Sequence, residues 1–142
     1  MPKLVHRRPV RIAWGHCDPA QIVFYPRYYE MFDESTQELF REALGQPKIK
    51  WVKTFGIIGI PLVETRSKYF IPNFYGDDIV IESTVSEFRR SSFDLSHRIF
   101  KGDKLSVDGF ETRVWAGPDP DRPGGIKSAP IPDEVLKAFE RD

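Results

Sequence analysis

The chain of 142 residues has one cysteine, Cys17, and three histidines, His6, His16 and His97. A single cysteine excludes an internal disulfide framework and points to a reducing compartment. With so few sulfur and imidazole ligands no standard metal-binding spacing appears, and no metal site is expected. Neither sign of charge is in excess: Lys+Arg and Asp+Glu are 21 each. That balance argues against a broad polyanion-binding surface and so against nucleic acid as a partner, while leaving room for a small arginine cluster that grips one phosphorylated ligand. Long apolar runs are missing too. The most apolar stretch, Phe55–Val63, is broken by Gly56, Gly59 and Pro61 and is much shorter than the about 20 residues of a membrane span. Residues 1–8 contain no continuous apolar segment of the secretory-signal kind, so a cytoplasmic protein without membrane attachment is expected.

What the chain does have is aromatic mass: 11 Phe, 5 Tyr and 3 Trp, enough to build a core and to exclude a disordered chain. A chain of this length buries roughly 68% of its unfolded surface. One domain spanning residues 1–142 is expected, with no need of a metal or disulfide staple.

Val10, Ile12 and Trp14 alternate with polar or small residues, the period of a half-buried strand. Gly15–Ala20 breaks that pattern with turn-forming residues. From Pro26 to Leu44, Tyr28, Phe32, Ser35, Leu39 and Ala43 recur at three- and four-residue spacing, flanked by Met31 and Phe40. Pro26 suits the first helical position and Gly45 the C-cap. A shorter helix is expected over Lys48–Thr54, ending at Gly56. Four strands follow, Leu62–Phe70, Ile79–Phe88, Phe93–Phe100 and Leu105–Trp115, with alternation in Phe93, Leu95, His97, Ile99 and in Phe110, Thr112, Val114. Their short connections, including Lys101-Gly102-Asp103-Lys104, imply antiparallel pairing. Gly117–Pro132 reads as an irregular loop and Asp133–Arg141 as a short closing helix. The fold class is therefore α+β, with one long helix packed on a curved antiparallel sheet, the only surface large enough to cover its apolar stripe.

Asp18 lies between the first strand and the long helix. It reads either as an Asp-Pro turn residue or as a carboxylate poised near free helix N–H groups, which bind a developing oxyanion and so suit acyl transfer. Cys17 as nucleophile lacks a paired base, and neighbours on extended backbone point apart. His97 shares a strand face with Phe93, Leu95 and Ile99 and reads as a packed core histidine. Arg89-Arg90-Ser91-Ser92 is either a solvated turn or a phosphate-capturing set of guanidinium and hydroxyl donors. Gly56-Ile57-Ile58-Gly59-Ile60-Pro61 is a linker, or a place where backbone approaches a ligand closely.

Cys17-Asp18-Pro19-Ala20-Gln21-Ile22-Val23-Phe24-Tyr25-Pro26-Arg27-Tyr28 resembles the Asp-Pro-Ala-Gly-Ile-Val-aromatic-Tyr-Pro-Asn-Tyr signature of the 4-hydroxybenzoyl-CoA thioesterase family of hotdog-fold enzymes. The segments Gly56–Pro61, Phe88–Phe93 and Tyr75–Asp78 are similar to further stretches of that family. The resemblance implies a hotdog fold, a long central helix wrapped by the sheet, in a homodimer or homotetramer with active sites at a subunit interface. It implies Asp18 as the catalytic carboxylate and Tyr25 as the residue whose backbone N–H polarises the thioester carbonyl. It sets Gly59 in the second active-site segment, Arg89, Arg90 and Ser91 where coenzyme A phosphates bind, and Asp33 where an acid senses a ring hydroxyl. Several positions depart from the family pattern: Gln21 stands for glycine, Ile60 for threonine and Ser91 for a basic residue. Pro26 after Tyr25, where short-chain acyl-CoA thioesterases carry histidine, favours the aryl branch.

The implied reaction is hydrolysis of an acyl-CoA, 4-hydroxybenzoyl-CoA or similar, to free acid and coenzyme A, with no cofactor beyond the coenzyme A of the substrate. An ionised aspartate is a weak base for water, which favours nucleophilic attack on the thioester; general-base activation of water stays open. Other readings are a short-chain aliphatic acyl-CoA thioesterase, a non-catalytic acyl-CoA-binding module, and a dehydratase, for which His16 beside Asp18 provides no clear catalytic pair.

Overall fold

The computed structural model describes residues 1–142. Its main sheet has five antiparallel strands: β1 (Val5–Arg11), β2 (Leu62–Tyr69), β3 (Asp78–Phe88), β4 (Ser92–Lys101) and β5 (Lys104–Val114), in the spatial order β1-β3-β4-β5-β2. Two helices, α1 (Pro26–Leu44) and α2 (Lys48–Phe55), separate β1 from β2 in sequence. After β5 come β6 (Ala116–Pro118), β7 (Ile126–Ser128) and α3 (Asp133–Ala138). No helix is long and apolar enough to cross a membrane.

The long helix begins and ends where the sequence places it. Pro26 occupies its first turn, and Gly45, at φ 71, closes it by donating its N–H to the Arg41 carbonyl at 2.9 Å. Its expected stripe is buried, from Tyr28 to Ala43, and Thr36 joins it. Against the sheet the helix approaches closely at one point. A Cβ on Gly109 of β5 would lie 2.5 Å from Cε2 of Phe32, so the flat packing of that ring requires glycine there. The β4–β5 hairpin turns on Gly102 and Asp103, with Lys101 paired to Lys104.

The apolar core divides in two. Phe40, Trp51, Phe93, Trp115 and Phe139 anchor one cluster, and Ile12, Phe32, Ile81, Ile99 and Val107 the other. Between them lies a buried polar row of Thr36, Ser83, His97, Glu111 and Arg113. Here the alternation read in β5 misleads. Phe110, Thr112 and Val114 do mark a strand, but they occupy its partly exposed face, while Glu111 and Arg113, 2% and 4% exposed, point inward. Charge is tolerated there because each group is paired.

Three other expectations are corrected. The short connection from β2 to β3 makes no hairpin: β2 pairs with β5 at the far edge, while β3 pairs with β1 and β4. The first strand runs over Val5–Arg11, earlier than expected, and Trp14 stands in a 3₁₀ turn, exposed and edge-on to Tyr75. The strand ends at Arg11 opposite Asp78; the Ile12 N–H still donates to the Asp77 carbonyl at 2.9 Å, and the chain then leaves the sheet. Arginines along the strand break the apolar alternation and serve as cross-strand partners: Arg7 bonds Glu82 at 3.0 Å and Arg11 bonds Asp78 at 2.9 Å. Within Gly117–Pro132, expected to be irregular, β7 pairs with β6, through Ala116 with Ser128 and Pro118 with Ile126.

Candidate active site

Asp18 sits half-buried at the head of a tight loop. Cys17 pairs with Val23, and the Asp18 N–H donates to the Ile22 carbonyl at 3.0 Å. The Gln21 N–H donates to the Asp18 carbonyl at 2.8 Å, and the Ala20 N–H donates to Asp18 Oδ1 at 2.8 Å. Asp18 is thus an Asx-turn residue as well as a candidate acid: one carboxylate oxygen shapes the loop, and Oδ2 has no partner. Gln21 takes φ 68, the left-handed conformation for which glycine is best suited, so the loop keeps its turn without a glycine. The loop is clamped from outside by Val23 N–H to Asn73 carbonyl at 2.9 Å and Tyr75 N–H to Gln21 carbonyl at 3.0 Å.

The flanking residues have structural work. His16 Nδ1 accepts from the Ala13 N–H at 2.8 Å. Burial, with the nearby charge of Asp18, pushes the Cys17 thiol up, so it is held as thiol, a poor nucleophile. No group of three or more His, Cys, Asp or Glu side chains is arranged to hold a metal ion.

Tyr25 precedes α1 with helical backbone angles, and its N–H makes no hydrogen bond. Phe24 before it donates to the His16 carbonyl at 2.9 Å, which joins the helix start to the Asp18 loop. An apolar cleft of about 280 Å³ opens beside Tyr25, lined by Ile22, Tyr28, Tyr69, Phe70 and Asn73 among others. Burial raises the Tyr28 phenol, and it raises Tyr69, assisted by Tyr29, to about 12, so both stay neutral. At the cleft wall Asn73 donates to Tyr28 Oη at 3.0 Å and Ser106 Oγ at 2.7 Å, and its buried Oδ1 has no partner.

A second cluster forms further along α1. Asp33 Oδ1 accepts from Arg113 Nη2 at 2.7 Å, and Arg113 Nη1 donates to the Ile60 carbonyl at 3.0 Å. Gly59 is buried beside it, and a Cβ there would meet the end of Lys48 at 3.9 Å. Burial, with the charge of Arg113, lowers Lys48 below the ordinary lysine range, opposed by Asp33. The expected threonine hydroxyl is replaced by Ile60, 2% exposed and part of the core.

The arginine turn lies next to this cluster. The Trp115 N–H donates to the Ser91 carbonyl at 2.7 Å, and the next N–H, of Ala116, donates to the Gly59 carbonyl at 3.0 Å. Arg89 is engaged by Asp94 at 2.7 Å, Ser92 Oγ at 2.8 Å and Glu87 at 3.2 Å. Arg90 is exposed and makes no side-chain hydrogen bond or ion pair.

One chain therefore joins Asp33, Gly59 and the Arg89–Ser91 turn, and separately joins Asp18 to Tyr25. Ser106, which contacts Asn73 at the cleft, and Trp115, which contacts Ser91, lie nine residues apart around β5, about 30 Å of strand. Sequence reading missed Lys48, Glu111 and Arg113. Opposite charges two residues apart on a strand share a face, and Glu111 and Arg113 carried that signal.

Solved structures share this fold. A mutant 4-hydroxybenzoyl-CoA thioesterase complexed with 4-hydroxybenzoyl-CoA has a TM-score of 0.85 at 27% identity, covering 95% of this chain and 98% of that one. A gentisyl-coenzyme A thioesterase has a TM-score of 0.80 at 30% identity, covering 96% and 100% respectively. The fold is thus the hotdog that the resemblance implied. In sequence, the chain is 30% identical over 132 residues to the 4-hydroxybenzoyl-CoA thioesterase of Pseudomonas sp. strain CBS-3, covering 89% of this chain and 92% of that protein. With residues 12–139 matching its family model, the chain belongs to the thioesterase-like superfamily.

Proposed function

We propose that this chain hydrolyses the thioester of an aryl-CoA of the 4-hydroxybenzoyl-CoA kind, releasing the free acid and coenzyme A. One observation carries the reading: the Tyr25 N–H is unbonded at the start of a 19-residue helix, and the loop joined to it holds Asp18 with a free carboxylate oxygen. The positive end of the helix dipole favours an oxyanion at that N–H. Asp18 Oδ2 then acts on the carbonyl carbon. In one route it adds to that carbon, the C–S bond breaks, coenzyme A leaves as thiolate, and water hydrolyses the mixed anhydride. In the other it takes a proton from water as the oxygen adds to the carbon, the tetrahedral intermediate collapses with cleavage of the C–S bond, and the proton passes to the departing coenzyme A thiolate.

The apolar cleft suits a ring, and the relatives named for 4-hydroxybenzoyl-CoA and gentisyl-CoA favour an aryl over a short aliphatic acyl group. In this reading Asp33 meets the ring hydroxyl, backbone at Gly59 passes close to the acyl group, and Arg90 with Ser91 takes the coenzyme A phosphates, Arg89 supporting the turn. Coenzyme A belongs to the substrate, and no further cofactor enters. Because one chain holds the two halves apart, a second copy completes the site. The edge strand β2, with Leu62, Val63 and Tyr69 exposed, is the surface along which two copies of the chain pair. A cytoplasmic location agrees with the free Cys17 thiol.

Incubation with a panel of acyl-CoAs and a thiol-reactive dye tests the reading. Release of free coenzyme A is expected, with the highest kcat/KM on hydroxylated aryl-CoAs. Binding without release identifies a non-catalytic module, and preference for acetyl- or butyryl-CoA overturns the aryl assignment. Single turnover in ¹⁸O-water separates the routes, since label in the Asp18 carboxylate marks the anhydride.

A further inference from the structure

The buried charges between the two core clusters do not contact the reacting atoms, yet they end on Asp33. Arg113 Nε donates to Glu111 Oε1 at 2.9 Å, and Nη2 reaches Glu111 Oε2 at 3.1 Å and Asp33 Oδ1 at 2.7 Å. Its remaining nitrogen donates to the Ile60 carbonyl. Glu111 is itself fixed, accepting from Thr36 Oγ1 at 2.7 Å, with His97 Nε2 at 3.2 Å; His97 Nδ1 lies 2.7 Å from Ser83 Oγ. The guanidinium is thus held by groups from α1, β3, β4 and β5. The Asp33 side chain is 64% exposed, against 5% for Arg113, and its Oδ2 has no partner.

We propose that Arg113 is a positioning residue that fixes the Asp33 carboxylate relative to the Gly59–Ile60 backbone, and so sets the preference for an acyl group bearing a hydroxyl. An exposed carboxylate samples several rotamers and loses entropy when it binds; a charge-assisted bond to an immobile guanidinium removes that freedom beforehand. The free Oδ2 is then a preset acceptor for an O–H donor, and a site built around such a bond discriminates strongly against the analogue that lacks the hydroxyl. Lysine at 113 keeps the charge but cannot reach Glu111, Asp33 and the Ile60 carbonyl at once. A purely structural role predicts otherwise: disturbing one partner of a buried ion pair lowers stability and affects both substrates alike. The proposal rests on the reading of Asp33 as a substrate contact.

The test is the ratio of kcat/KM for 4-hydroxybenzoyl-CoA to that for benzoyl-CoA, measured with Tm for the wild type, Asp33→Ala, Arg113→Lys and Glu111→Gln. The ratio is expected to fall about tenfold in Asp33→Ala and in Arg113→Lys, and to fall less in Glu111→Gln, which keeps an acceptor for the fork. Loss of the preference in Asp33→Ala with the wild-type ratio kept in Arg113→Lys overturns the role of Arg113 and leaves that of Asp33 standing. An unchanged ratio in Asp33→Ala overturns the Asp33 reading. An equal loss on both substrates in Arg113→Lys, alongside a lower Tm, assigns the residue to stability alone and overturns the proposal. If Arg113→Lys does not fold, Glu111→Gln decides: a reduced ratio supports the proposal and a wild-type ratio overturns it.

Discussion

Glu111 and Arg113 stand two residues apart on the inward face of β5, with Arg113 Nε 2.9 Å from Glu111 Oε1 and both side chains no more than 5% exposed. The pair turns what would be two costly buried charges into a rigid strut between the halves of the core. Burial pushes the Glu111 carboxyl up, but hydrogen bonds and charge from His97 and Arg113 outweigh it and hold the group at about 2, against an ordinary 4.5.

A folded-state value below the unfolded one means stability that is complete above about pH 4.5 and lost as the pH falls toward 2. Urea unfolding between pH 7 and pH 2.5 is expected to show this loss, on the order of a few kcal/mol. Glu111→Gln should flatten the acid limb while lowering stability at neutral pH. A variant with the wild-type acid limb would contradict the assignment.

Gln21→Gly is expected to stabilise the protein by about 1 kcal/mol, because Gln21 is the one non-glycine residue at positive φ. The gain is the left-handed penalty less the greater chain entropy of glycine in the unfolded state. Denaturant midpoints with an unchanged slope measure it; a lower midpoint would show that the glutamine carries no strain.

Asp18→Asn should lose at least about 10²-fold in kcat on the best substrate. Asparagine retains an oxygen for the Ala20 N–H, so Tm should shift little and the loss is chemical. Wild-type turnover in this variant would remove Asp18 from the mechanism.

Arg90→Ala should raise KM about fivefold, the equivalent of roughly 1 kcal/mol, with little change in kcat. The increase should vanish with 4-hydroxybenzoyl-pantetheine, which has no phosphates. Arg89→Ala should chiefly lower Tm, since its guanidinium is engaged by Asp94 and Glu87. Equal KM effects on both thioesters would show that Arg90 does not meet phosphate.

Much of the fold was legible because its signals are local. The stripe from Tyr28 to Ala43, Pro26 at one end and Gly45 at the other delimit α1 as the structure has it. Short turn-rich connections placed four of the five strands. Where a strand is built from arginines, as at Arg7 and Arg8, local apolar pattern vanishes, because the stabilising partners Glu82 and Ser35 are far away in sequence. The same blindness applies at the site. Asp18 and its turn could be read from Asp-Pro, and the resemblance implied the Tyr25 N–H, but nothing in the sequence showed that Asp94 would occupy Arg89.

By itself the sequence determined the helix and its caps, the β3–β4 and β4–β5 hairpins, and an acid placed ahead of a helix start, since each depends on residues within a few positions of one another. Only the tertiary structure decided that Glu111 and Arg113 face inward and that Arg113 donates both to Asp33, 80 residues away in the chain, and to the Ile60 carbonyl, 53 residues away. The physical reason is that a charge enters the interior only when its partner is already there, and the partners are brought together by folding rather than by neighbourhood in the chain.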